Sequence, residues 1–194
     1  MTVVGSQVGC VVLAAGSSKR MGREKALVKI GQETLVGLTV RRLAAYGISP
    51  VIVTRSDIEG EIAKAAPSSK VLVNPSPDTG RTGTLQIGIA ELDAGMGTGY
   101  MLLVVPVDRP GFSDSTLRSL ISSKQTSCPE KDGRGGHPLI ISADDIGRIR
   151  DSPPNVPLRN LVEPERFEVN DPLLHLNVDS PIDLIELSDS LTEL

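Results

Sequence analysis

The stretch Val8-Gly-Cys-Val-Val-Leu13, followed directly by Ala14-Ala-Gly-Ser-Ser-Lys-Arg-Met-Gly-Arg-Glu-Lys25, decides the fold. Its first half is continuously apolar or small instead of alternating, which marks a strand buried on both faces. Its second half is a loop of small residues dense in positive charge: Lys19, Arg20, Arg23, Lys25 and Lys29 fall within 11 positions. Small residues let the backbone approach a ligand closely, exposed N–H groups can cradle phosphate oxygens, and Lys and Arg neutralise their charge. The loop therefore reads as a phosphate-binding loop, with a solvated basic turn as the plain alternative. Neither Gly16 nor Gly22 is followed by the Lys-Ser/Thr of a P-loop, and no Gly-x-Gly-x-x-Gly is present. That disfavours a kinase or a dinucleotide-dependent oxidoreductase.

Working outward, similar runs recur at Pro50 to Thr54, Lys70 to Val73, Met101 to Val107, His137 to Ile141 and Leu174 to Val178. Helical spacings lie between them: Leu35, Leu38 and Leu43; Ile58 and Ile62; Leu85, Ile89 and Leu92; Leu117, Leu120 and Ile121. Strand followed by helix predicts an α/β fold with a mostly parallel central sheet flanked by helices. Ser56 three residues before Glu59 suggests a capping box, and Ser180-Pro181 with Asp183 opens a last helix running toward Ser190. Gly95 to Gly99 reads as a turn and Ser122 to Gly136 as a long polar loop, while Ser152 to Pro157 carries three prolines and is no helix interior. A loop so long in a compact domain is often functional, so the part leading to Gly135-Gly136-His137-Pro138 is a candidate lid over an acceptor site.

Composition narrows the function classes. The chain has 194 residues, 2 Phe, 2 Tyr, no Trp and a formal net charge of -4. The length fits one domain, residues 1–194. Scarce aromatics and net acidity speak against nucleic-acid binding, which draws on stacking platforms and a dense basic face. Any bound anion should be small. The apolar run from Val8 to Ala15 is far shorter than the roughly 20 residues that cross a bilayer and has no basic stretch before it, so a soluble, cytoplasmic protein without membrane partners is expected. Cys10 and Cys128 make no disulfide framework, and with only His137 and His175 beside them a zinc site is improbable.

Further segments carry chemistry. Asn74-Pro-Ser-Pro-Asp-Thr-Gly80-Arg-Thr-Gly-Thr84-Leu-Gln-Ile-Gly88 is a loop entering a helix whose free N–H groups favour an anion. In Leu102-Leu-Val-Val-Pro-Val-Asp108-Arg-Pro110 a carboxylate ends an apolar strand, where open α/β sheets bind ligands. Asn177-Val-Asp179-Ser-Pro181 repeats that arrangement. Each aspartate alone could be a turn or capping residue, but two strand-end carboxylates can share a Mg²⁺, which takes oxygen ligands, waters and substrate phosphates. Gly136-His137-Pro138 holds one of the two histidines, which could equally be a buried strand residue.

Together these pieces resemble the MobA-like nucleotidyltransferases, three-layer Rossmann-like enzymes of the nucleotide-diphospho-sugar transferase type, and particularly the molybdenum cofactor cytidylyltransferases. The loop is similar to their Leu-Ala-Ala/Gly-Gly-x-x-x-Arg-Met-Gly-x-x-Lys motif. The resemblance implies that Leu13, Ala14, Ala15 and Gly16 approach a nucleoside triphosphate, and that Arg20 and Lys25 hold its phosphates and stabilise the leaving pyrophosphate. It also places Asn74, Gly80 and Thr84 in the nucleotide site, the last two against base or ribose, and makes Asp108 and Asp179 the Mg²⁺ ligands. His137 and Arg109 would face the acceptor. The Ala-Ala-Gly form favours CTP over GTP, and a phosphorylated acceptor of molybdopterin type is implied. The chain departs from the family at Val107, usually Gly, at Arg109, frequently Gln or Met, and at Ser152 to Arg159, which retains only the Arg of a Gly-Asp-x-Gly-x-Arg stretch. A sugar, polyol or choline phosphate acceptor, or a non-catalytic nucleotide-binding module, remain as alternatives. Oligomeric state is open.

Overall fold

The computed structural model describes residues 7–16 and 24–190. In chain order the strands are β1 (Val8–Leu13), β2 (Lys29–Ile30), β3 (Glu33–Thr34), β4 (Val51–Thr54), β5 (Lys70–Val73), β6 (Met101–Pro106), β7 (Ser127–Lys131), β8 (Arg134–Gly135), β9 (Leu139–Ile141) and β10 (Glu165–Glu168). The helices are α1 (Leu35–Ala44), α2 (Glu59–Ala65), α3 (Arg81–Met96), α4 (Asp114–Ser122), α5 (Ala143–Asp151) and α6 (Pro181–Ser190). One sheet runs in the order β10-β7-β9-β6-β1-β4-β5, with β8 paired to β7, and β2 and β3 form a separate hairpin. Strands β5, β4, β1 and β6 are parallel, while β9 runs antiparallel to both β6 and β7.

The alternation of β1 explains its unbroken apolar sequence. Cys10 and Val12 enter a core shared with Leu38, Leu43 and Leu117, whereas Val11 enters a second core with Leu85, Ile89 and Ile149. Each face of the sheet is thus covered by helices, as an inner parallel strand requires. On the second face α3 comes so close that a Cβ on Gly88 would lie 2.5 Å from Val11 Cγ2. Only glycine permits that approach, and it fixes where the amino end of α3 falls.

Chain order reverses at β1, because β4 and β5 build outward on one side before β6 returns to the other. Such a switch point opens a crevice at the carboxyl ends of the strands, where ligands of open α/β sheets bind.

Several expectations need correction. Leu174 to Val178 is not a strand: the chain turns through Leu174 N–H to Asp171 O (3.3 Å) and Leu176 N–H to Leu173 O (2.8 Å). Its leucines are apolar because they seal loops, Leu173 lying against Gly111 and Leu174 against Gly136 so tightly that a Cβ on either glycine would clash. Ser122 to Gly136 is not one long loop, since it contains β7 and β8, and Gly135, Gly136 and His137 form part of a cavity wall built on that hairpin. The expected capping box at Ser56 is absent; α2 begins after Ile58 with no side-chain cap. Helix α5 and strand β10 were unanticipated. By contrast α6 starts at Pro181 as expected, and Asp183 Oδ2 accepts from Ser180 N–H (2.6 Å), Ser180 Oγ (2.8 Å) and Asp179 N–H (2.9 Å). No helix among the described residues is long and apolar enough to cross a membrane.

Candidate functional site

The carboxyl ends of β1 and β6 are locked side by side. Ala14 N–H donates to Val53 O (2.9 Å) and Val107 N–H to Leu13 O (3.1 Å), while Thr54 Oγ1 donates to Ala14 O (3.2 Å). This brings the segment 13–16 and Asp108 to one cavity of about 250 Å³, whose lining includes Leu13, Ala14, Ala15, Gly16, Lys25 and Asp108. Gly80, Arg81 and Thr84 at the amino end of α3 line it too. Gly80 occupies the N-cap with φ 119°, so no side chain caps this helix. A 16-residue helix thereby sets its N-terminus at the cavity without a side-chain cap, a placement that favours anionic groups, although Gly83 N–H already donates to Pro154 O (3.0 Å).

Asn74 is used differently from Thr84. Its amide donates to Thr84 Oγ1 (2.9 Å) and its carbonyl oxygen accepts from Ser76 N–H (2.8 Å). Buried with those partners, it shapes the cavity from behind and is not among the lining residues.

Opposite the helix the charged groups converge. The Lys25 ammonium is 3.4 Å from Asp108 Oδ2 and also donates to Asp179 Oδ1. Asn177 donates to the other Asp179 oxygen, and Val178 N–H donates to Asp108 O (2.9 Å), which ties the two aspartate segments together. The separation of 71 positions between these aspartates is closed by the folded segment preceding α6. Two carboxylates meeting at one cation form an oxygen donor set that fits Mg²⁺, an ion commonly held by one or two carboxylates with waters and phosphates completing its shell. Among the described residues no group of three or more His, Cys, Asp and Glu could hold a metal. Arg20, like Lys19 and Arg23, lies outside the described residues.

A second cavity, about 880 Å³, shares Leu13, Gly80, Arg81 and Pro106 with the first. It is bordered by Arg134, His137, Arg159 and Arg166, with Glu163 the acid among its lining residues. Burial, together with the positive charge of Arg109 and Arg81, pushes the His137 pKa down to about 4 against the pull of Asp108. The imidazole is therefore neutral near pH 7. Arg109 is not among the residues lining either cavity and makes itself felt through His137.

Three contributions escaped the sequence. Arg81 borders both cavities, and its position beside Gly80 in the helix-entry motif was the available signal. Arg134 and Arg166 come from β8 and β10, short polar strands without an apolar pattern to reveal them. Arg55 follows β4, whose carboxyl end lies on the same edge of the sheet as Asp108, and that shared edge could have drawn attention to it.

Residues 10–171 match the MobA-like NTP transferase domain, and the chain belongs to that family. A molybdenum cofactor guanylyltransferase from Xanthomonas euvesicatoria is 31% identical over 118 residues, covering 61% of this chain and 56% of the relative. This chain's match thus spans little more than half of that enzyme's length. Nicotine blue oxidoreductase from Paenarthrobacter nicotinovorans is 32% identical over 146 residues, covering 69% of this chain and 70% of the relative. Among solved structures, Rv0371c of Mycobacterium tuberculosis in complex with manganese is similar with a TM-score of 0.74 and 20% identity, covering 96% of this chain and 100% of that one.

Proposed function

We propose that this protein is a Mg²⁺-dependent nucleotidyltransferase that moves CMP from CTP onto the phosphate of a molybdopterin-type acceptor. The convergence of Asp108, Asp179 and Lys25 near a cavity that α3 enters without a side-chain cap carries this reading. The family supplies the class of reaction, and the neighbour solved with manganese supports a divalent ion. The Ala14-Ala15-Gly16 loop favours CTP, whereas the Xanthomonas relative bears a guanylyltransferase name, so CTP and GTP are tested side by side.

In this scheme an acceptor phosphate oxygen attacks the α-phosphorus, a new O–P bond forms, and the bond to the β-phosphate oxygen breaks to release pyrophosphate. The acceptor is already an anionic nucleophile at neutral pH, so the protein's share is positioning and charge neutralisation. Asp108 and Asp179 hold the ion, which when bound neutralises phosphate charge. With such an ion held by the carboxylates, Lys25 would serve the phosphates, the role also assigned to Arg20. Leu13, Ala14, Ala15 and Gly16 let the nucleotide lie against the backbone, with Gly80 and Thr84 toward base or ribose. Arg81 stands where both substrates would meet, and the larger cavity takes the acceptor beside His137, with Arg109 acting on that histidine's charge. The neutral imidazole is suited to hydrogen bonding the acceptor.

Pyrophosphate release from CTP or GTP with Mg²⁺ and molybdopterin tests the proposal. Asp108→Asn should slow release about a hundredfold, corresponding to roughly 3 kcal/mol of lost electrostatic stabilisation. Full activity in the folded variant overturns the assignment. The oxidoreductase relative favours a second reading, redox chemistry on a bound nucleotide reductant. Consumption of NADH or NADPH without pyrophosphate release would select it.

A further inference from the structure

Arg55 follows β4 and belongs to neither cavity's lining, yet both terminal nitrogens of its guanidinium donate to the residues that flank positions 17–23. Nη1 donates to Gly16 O (2.9 Å), Nη2 to Glu24 Oε1 (2.7 Å), and Nε and Nη2 to the Asp57 carboxylate (3.1 and 2.9 Å). Gly16 and Glu24 are the residues on either side of positions 17–23, and both line the smaller cavity. The Arg55 side chain is 15% exposed, whereas Asp57 is 61% exposed. Asp57 therefore orients the fork from the solvent side while the fork itself reaches Gly16 and Glu24. Hydrogen bonds to both acids raise the Arg55 pKa further above its ordinary value, so the clamp stays charged at any working pH.

We propose that Arg55 is a positioning residue that holds Gly16 and Glu24 at a fixed separation in the wall of the smaller cavity, so that the nucleoside triphosphate meets these two residues already in place. The proposal rests on the reading of this cavity as the nucleotide site. A planar fork can bridge a carbonyl and a carboxylate at once; a lysine, as a point charge on a flexible stem, cannot hold both in one geometry. The charge of Arg55 is answered locally by Glu24 and Asp57, so its effect on the ligand passes through loop geometry and not through direct attraction.

The test compares wild type, Arg55→Gln, Arg55→Lys and Glu24→Gln, with the exposed ion-pair variant Arg41→Gln as a control. Two readouts are needed: titration calorimetry with CTP and GTP in Mg²⁺, and the rate of tryptic cleavage after Lys19, Arg20 and Arg23 without ligand. Arg55→Gln and Arg55→Lys should each weaken triphosphate binding about tenfold to a hundredfold, the scale expected when a small misplacement spoils preorganisation. Both should be cut faster than wild type in the loop, and the KM for acceptor should not move. Glu24→Gln, which removes one arm while keeping Arg55, should fall between them and serves if neither Arg55 variant folds. Binding and cleavage in Arg55→Lys equal to wild type would overturn the clamp, because charge alone would then suffice. Wild-type protein that binds no triphosphate would instead overturn the nucleotide reading, while faster cleavage in the Arg55 variants would still uphold the clamp on the loop.

Discussion

Replacing Gly88 with alanine should damage both stability and nucleotide binding, and the structure gives the size of the effect. The added Cβ would meet Val11 Cγ2 at 2.5 Å, Cγ1 at 2.8 Å and Cβ at 3.3 Å. Turning the Val11 side chain does not relieve this, because both methyl groups and the Cβ itself face the helix. Val11 is fully buried in β1, whose backbone is hydrogen-bonded to β4 on one side and β6 on the other, so the strand cannot retreat. Helix α3 must move out by roughly 1 Å to restore ordinary contact, a shift that overpacked cores accommodate at a cost of about 1–3 kcal/mol. At about 2–4 °C per kcal/mol for a domain of this size, thermal unfolding should fall by roughly 2–12 °C. The same movement carries Gly80, Arg81 and Thr84 away from the carboxyl end of β1, so triphosphate affinity should drop as well. Differential scanning calorimetry and nucleotide titration would measure the two effects. Val11→Ala removes both offending methyl groups, so the double variant Gly88→Ala/Val11→Ala should be less destabilised than the sum of the single changes, a coupling that a double-mutant cycle detects. A Gly88→Ala protein as stable as wild type, with no coupling to Val11, would refute the close approach of α3 to β1.

Two further predictions follow from the site's surroundings. The folded-state pKa of His137, about 4, lies below that of an unfolded histidine, near 6.5, so the unfolded chain binds more protons in that window. Stability should be complete above about pH 6.5 and decline by up to roughly 3 kcal/mol as pH falls toward 4; His137→Gln should flatten that part of the profile in urea titrations, and an unchanged slope would discount the lowered imidazole pKa. Asp183→Ala removes the acceptor that organises the backbone of Asp179 and Ser180, so it should cost about 1 kcal/mol as a lost cap and raise the Mg²⁺ concentration needed for half-maximal activity, while Asp183→Asn keeps part of both.

The parallel half of the molecule was legible because β1, β4 and β6 are inner strands and the edge strand β5 keeps an apolar run of its own. β1, β4, β5 and β6 show continuous apolar runs, and the positions of Asp108 and Gly16 follow from their carboxyl ends. The other half, apart from β9 within the run from His137 to Ile141, was hidden for the opposite reason. β10 reads Glu-Arg-Phe-Glu and is largely exposed at the sheet edge, and β7 opens on buried Ser127 and Cys128 but ends in Glu130 and Lys131. α5 buries Ile146 and Ile149 under a charged surface, too sparse a stripe to stand out. At Leu174 to Val178 the apolar signal was genuine burial, but it served a turn packed on Gly111 and Gly136. The meeting of Asp108 with Asp179 was suggested by motif; that Lys25 joins them is a fact of tertiary folding.

Among the described residues the two cavities touch only through Leu13, Gly80, Arg81 and Pro106, and this narrow shared border makes them separately alterable. The walls of the larger cavity come mainly from β7, β8, β9 and the loop after α5, which lie outside the parallel strands that carry the smaller one. Substitutions there can redraw the shape and charge presented to a second substrate without disturbing β1, β6 or the approach of α3. The scaffold therefore lets the larger cavity be reshaped independently of the smaller one, like a fitting exchanged on a fixed mount.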